Sequence, residues 1–100
     1  MDKPNYALSE RLAATAEVQD IINLVKEELF NRTIHCLDIY DAVTYRFQST
    51  NCGTNILIKV RVSHGRFLHA KVYVDFNNNI KLIYVDDNKG ICDPLSPRDI

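Results

Sequence analysis

From about residue 38 onward the chain alternates apolar and polar positions. Ile39, Val43, Tyr45 and Phe47 alternate with Thr44, Arg46 and Gln48. Ile56, Ile58, Val60 and Val62 alternate with Asn55, Lys59 and Arg61. Leu68, Ala70, Val72 and Val74 alternate with His69, Lys71, Tyr73 and Asp75, and Ile80 to Val85 makes a last run. A period of two predicts strands with one buried face. The runs are separated by Gln48–Asn55, by Ser63-His64-Gly65-Arg66 and by Asn77-Asn78-Asn79, all rich in turn formers. Short connections make sequential strands neighbours, so the pattern predicts a four-stranded antiparallel meander. Asp86 to Gly90 reads as a loop, and Pro94 and Pro97 mark an irregular tail.

Upstream the period changes. Val18, Ile21, Ile22, Val25 and Leu29 recur at offsets of three and four, the stripe of an amphipathic helix from about Ala16 to Asn31. Thr15 suits its N-cap, and Glu17 suits the positive end of its dipole. Gln19, Asp20, Asn23, Lys26 and Glu27 fill the opposite face. Such a helix needs a sheet to cover its stripe. One sheet face takes it. The other face, with Lys59, Arg61, Lys71 and Tyr73, is expected to be largely wet. A further short strand is expected before the helix, near Leu8. The architecture predicted is therefore α+β, one N-terminal helix on a four- to five-stranded antiparallel sheet.

One hundred residues suit a single domain, expected here over residues 1–100 with 1–7 as a flexible N-terminal trunk. The formal net charge of −1 and the lack of a basic cluster with interleaved aromatics argue against a nucleic-acid partner. No apolar run approaches the roughly 18–20 residues of a membrane span, and Met1 to Asn5 carry no apolar core of a secretory leader. The expected setting is cytoplasmic. Cys36, Cys52 and Cys92 form no C-x-x-C pair, which points to three reduced thiols rather than a zinc or redox site. Cys52, in the first hairpin loop, is the thiol expected to be exposed.

Little else carries chemistry. His35, His64 and His69 are not at metal-ligand spacing, and His69 reads as a surface or packing residue. Cys52 with His64 or His69 is the one conceivable nucleophilic pair. Asp86-Asp87 reads as a solvated loop charge. Asn31-Arg32-Thr33 fits a glycosylation pattern but reads as a helix C-terminal turn. No cofactor, metal or catalytic residue is expected.

Local motifs sharpen the picture. Leu8-Ser9-Glu10 followed by Ala14-Thr15-Ala16-Glu17-Val18-Gln19-Asp20-Ile21, then Ala42-Val43-x-Tyr45 leading to Gln48, resembles the opening of the stefins, the intracellular cystatins. Gly53-Thr54-Asn55-x-x-Ile58-Lys59-Val60, Phe67-x-His69-x-Lys71-Val72-Tyr73 and Tyr84-x-x-Asp87-Asn88-Lys89 are similar to later stefin segments. The resemblance spans roughly residues 7–95. It implies a cystatin-like fold and a non-enzymatic role: reversible, competitive inhibition of papain-like cysteine proteases of cathepsin type. It also implies how. A trunk and two hairpin loops line up as a wedge that plugs the active-site cleft. Carried onto this chain, the wedge would comprise Tyr6, Ala7 and Leu8, then Gln48, Ser49, Thr50, Asn51, Cys52 and Gly53 (with Gly53 turning the loop), then Phe76 and Asn77.

This chain departs from the family at those segments. The family's Q-V-V-A-G loop is here Gln48-Ser49-Thr50-Asn51-Cys52-Gly53, one residue longer and polar. Two buried Val-sized contacts are worth roughly 1.5–3 kcal/mol each. The trunk lacks the family's Gly, and Phe76-Asn77-Asn78-Asn79 replaces a longer loop with Leu-Pro. Two readings stay open: a stefin reshaped for an unusual protease, or a non-inhibitory interaction module on the same fold. A monomer is expected, with a domain-swapped dimer as its structural alternative.

Overall fold

A computed structural model describes residues 8–33 and 38–95. Five antiparallel strands form one sheet in sequence order: β1 (Leu12–Ala13), β2 (Asp41–Ser49), β3 (Gly53–Ser63), β4 (Arg66–Asp75) and β5 (Ile80–Lys89). Between β1 and β2 lie two helical pieces, α1 (Ala16–Leu24) and α2 (Lys26–Phe30). The predicted meander is present. The extra strand is β1, a few residues beyond Leu8, with Ser9 N–H also bonded to the Phe47 carbonyl. The last strand runs on to Lys89, so Asp86 to Lys89 are strand and not loop. Their pairing with β4, His69 opposite Asp86 and Phe67 opposite Lys89, passes through a bulge that period-two alternation does not reveal.

The helix begins as expected. The Thr15 hydroxyl accepts from Val18 N–H, and Glu17 lies in the first turn. It is not continuous to Asn31. Val25 leaves helical geometry (φ −102°, ψ 12°). At the break a side chain reaches the ladder: the Tyr40 hydroxyl donates to the Ile22 carbonyl at 2.6 Å. That carbonyl is the normal acceptor for Lys26 N–H. Burial pushes the Tyr40 phenol up. Gln19, expected on the wet face, also turns inward. Its Oε1 accepts from Ala42 N–H at 2.7 Å and its amide donates to the Tyr40 carbonyl, pinning α1 to the irregular start of β2.

The core lies between helix and sheet. Val18, Ile22, Val25 and Leu29 meet Ile56, Ile58, Val60, Val62, Leu68, Ala70, Val72 and Leu82. Central β3 supplies four of these and is paired along both edges.

The far face is wet only in part, with Arg61 and Tyr73 half-buried. Lys59, His69 and Lys71 are buried on it. Residues 90–95 leave β5 and fold back as a strap. The Lys59 ammonium donates to the carbonyls of Gly90, Ile91 and Asp93 at 3.1, 2.8 and 2.6 Å. Leu95 is buried over the same face, where Leu57 is also closed off from solvent. Three donors on one ammonium, each with an acceptor, are what permit a lysine here.

Candidate functional site: the hairpin end of the sheet

Antiparallel register brings three distant segments to one end of the sheet. The β2–β3 hairpin closes with Ser49 opposite Thr54. Gly53 lies opposite Asp75, so the β4–β5 turn falls at the same end. The chain before β1 arrives there too. Ser9 N–H donates to the Phe47 carbonyl at 2.8 Å, and the Ser9 hydroxyl accepts from Phe47 N–H at 2.9 Å.

The first loop is closed by a side chain. Thr50 N–H donates to the Gly53 carbonyl at 2.8 Å. The Thr50 hydroxyl accepts from Cys52 N–H and Gly53 N–H and donates to the Gly53 carbonyl. No residue of this loop has a left-handed φ. Hairpins of this length usually need such residues. Here a hydroxyl with one donor and two acceptor sites does the work instead. Asn51 and Cys52 form the exposed tip, and the Asn55 amide meets Gln48 Oε1 across the strands at 3.4 Å.

Gly53 has a different role from the one its sequence position suggests. It is buried, begins β3 and has no left-handed φ. A Cβ there would lie 2.3 Å from the Val74 carbonyl oxygen and 2.8 Å from both Asp75 Cα and the Tyr73 hydroxyl. Close approach of β4, not turning, requires the glycine.

The second loop is organised by Asp75. Its carboxylate accepts from the backbone N–H groups of Asn77 and Asn79 and from the Asn79 amide. The Asn79 backbone bond leads in holding that carboxyl below the usual range. Asn78 takes the left-handed φ of 64° that asparagine tolerates. Phe76 projects from this turn, 73% exposed.

Of the residues expected at the wedge, Leu8, Gln48 to Gly53, Phe76 and Asn77 gather at this end. Tyr6 and Ala7 lie outside the described residues, as does Cys36. Cys52 and Cys92 are free and exposed. The conceivable nucleophilic pair fails. Cys52 and His64 flank opposite ends of an eleven-residue strand, roughly 40 Å apart at strand rise. His69 sits on the far face opposite Lys59, away from the loop.

Sequence reasoning missed two features of this end. Phe47, read as an inward strand residue, is 38% exposed and stacks on Tyr45 at 6.4 Å. Apolar surface therefore flanks a polar tip. Arg46, a polar position in the alternation, ties this end together: Nε donates to the Ser9 carbonyl and Nη1 to the Leu95 carbonyl, each at 2.8 Å. Its partners are backbone carbonyls, which carry no sequence signal.

A helix held against a five-stranded antiparallel meander, with loops and N-terminal segment converging at one end, defines the cystatin-like α+β class. No protein-family model matches the chain. It is 40% identical over 91 residues to mouse Cystatin-A, covering 89% of this chain and 93% of that protein. It is 35% identical to Cystatin-A3 of Dictyostelium discoideum, covering 83% and 86%. Leukocyte cysteine proteinase inhibitor 1 of Sus scrofa is 38% identical over 66 residues, 66% of this chain and 63% of that protein. The chain belongs to the stefin family.

Proposed function

We propose that this chain is a reversible, competitive inhibitor of papain-like cysteine proteases of cathepsin type, acting as a monomeric single domain in the cytoplasm. It is not an enzyme. Family membership supports the class of activity, and one relative bears cysteine proteinase inhibition in its name. The observation that carries the reading is the convergence of three segments at one end of a sheet paired along its length. Such an edge is preformed, so little ordering entropy is lost on docking. Leu8, with Tyr6 and Ala7 before it, would follow the unprimed side of the cleft. Gln48 to Gly53 would enter it, and Phe76 with Asn77 would flank it. The loop is paired into β2 and β3 at both ends, so no extended peptide is offered for cleavage. Phe47 and Phe76 supply apolar surface that the tip lacks.

The polar tip favours one rival, a module of the same fold with no protease partner. The two part in a titration of papain and a cathepsin L-type enzyme with the reduced protein. A Cys52→Trp variant serves as the loop control, because Cys52 is exposed and only its backbone N–H takes part in the turn. Nanomolar inhibition, weakened by Cys52→Trp with the fold intact, supports the wedge. Absence of inhibition by folded protein overturns it for these enzymes and favours the rival.

A further inference from the structure

The N-terminal segment and the C-terminal strap do not touch the same strand independently. They meet at one cation. Arg46, in β2, is partly buried on the far face in register with Leu57. Its Nε donates to the Ser9 carbonyl and its Nη1 to the Leu95 carbonyl, both at 2.8 Å. Charge-assisted bonds of this length are about twice as strong as neutral ones. The planar guanidinium presents its donors in fixed directions, which a lysine cannot reproduce.

Each partner is itself held. Ser9 is bonded to both backbone groups of Phe47, and it is the residue next to Leu8, the last of the proposed trunk. Leu95 is 4% exposed, and the strap that delivers it is fastened by the three Lys59 bonds. A physical chain therefore runs from Lys59 through the strap to Leu95, across Arg46 to Ser9, and out to the trunk. β1 beyond Ser9 has only two residues, so the sheet ladder gives the segment little purchase. The side-chain clamp supplies what the ladder does not.

From this we infer that Arg46 is a positioning residue: it fixes Leu8–Ser9, the root of the N-terminal segment, on β2, and it makes the strap a determinant of how that root is held. The inference deepens the protease-inhibitor reading and rests on it for its second test, but the first test needs no protease.

The first test is amide hydrogen exchange in the free protein, read by NMR. In Arg46→Gln the Ser9 and Phe47 amides should exchange roughly tenfold faster or more, the loss expected for a charge-assisted bond. The β3 and β4 amides should keep their rates. A chain ending at Pro94, which lacks the Leu95 carbonyl but keeps Arg46, should shift the same two amides in the same direction. Arg46→Lys, able to keep one bond, should fall between parent and Arg46→Gln. Unchanged Ser9 and Phe47 rates, or a uniform rise over the whole sheet, would overturn the inference.

The second test is a cycle with removal of residues 1–7. Arg46→Gln should weaken inhibition roughly tenfold in the full chain and leave it unchanged in the truncated one. An equal loss in both backgrounds overturns the positioning role. If the parent chain does not inhibit, the protease reading falls, and amide exchange alone decides the role of Arg46.

Discussion

The ammonium of Lys59 lies 2.6 Å from the carbonyl oxygen of Asp93, a residue 34 positions further along. With the Gly90 and Ile91 carbonyls it completes a three-acceptor latch that closes the strap over the far face. Burial lowers the lysine's pKa from its usual value, and the nearby Asp93 charge opposes that shift. Lys59→Met keeps the apolar stem but removes every donor. It should cost about 1.5–3 kcal/mol, the range for hydrogen bonds to a charged group. Urea unfolding measures the cost, and faster exchange confined to residues 90–95 identifies the strap. An unchanged midpoint with unchanged exchange would show that the latch holds nothing.

The strap also marks where sequence reasoning stopped. Alternation identified four strands and the core face, because side-chain period two is a local property. It assigned Lys59 and Lys71 to water and left His69 as a surface or packing residue, because a polar residue looks the same whether solvent or a strap covers it. Backbone carbonyls do the capturing, and they are identical at every position. One signal was present: Ile56-Leu57-Ile58 is apolar on both faces, which a strand with one wet face does not need. Leu57 is 2% exposed for that reason. The candidate site was legible through the stefin motifs and hairpin turns. The clamp at Arg46 was not, for the same reason as the strap.

The close approach at Gly53 separates two effects that one mutation would confuse. Gly53→Ala places a Cβ against the Val74 carbonyl, a backbone atom that cannot swing away. Overpacking of this kind costs about 1–3 kcal/mol. Thr50→Val instead keeps shape but strips the hydroxyl that Cys52 and Gly53 N–H groups use, and should cost about 1 kcal/mol. Thermal unfolding should rank the two in that order. A Gly53→Ala chain as stable as the parent would mean that β4 can draw back.

Tyr40→Phe tests the cause of the break in the helix. Without the hydroxyl, the Ile22 carbonyl is free to accept from Lys26 N–H, and α1 and α2 should join. The Lys26 amide should gain protection from exchange while overall stability falls by roughly 0.5–1.5 kcal/mol. A break that persists with Lys26 unprotected would assign the kink to the packing of Val25, which is 6% exposed.

His69 gives the sheet a pH dependence with a definite sign. Its Nε2 is buried with no partner among the described residues, beside a cavity of about 120 Å³ under the strap. Lys59 faces it from β3, Asp86 and Lys89 from β5, and Asp93 from the strap. Burial first, then the Lys59 charge, brings its pKa down to about 4. An unfolded histidine titrates near 6.5. Above that value neither state binds the proton, and His69 leaves stability unaffected. Between about 6.5 and 4 the unfolded state takes a proton that the native state refuses, so stability falls as pH falls. Below about 4 both states are protonated and this contribution levels off. The loss is about 1.4 kcal/mol for each unit separating the two values. Asp75 and Asp93, whose carboxyls are held low mainly by backbone N–H groups of Asn79 and Gly90, add losses at still lower pH, where the unfolded carboxylates take up protons that the native ones still refuse. Urea midpoints from pH 7.5 to 4.5, compared between the parent and His69→Gln, isolate the histidine. The parent should lose stability across that window and the variant should lose less. Parallel curves would mean that His69 titrates alike in both states.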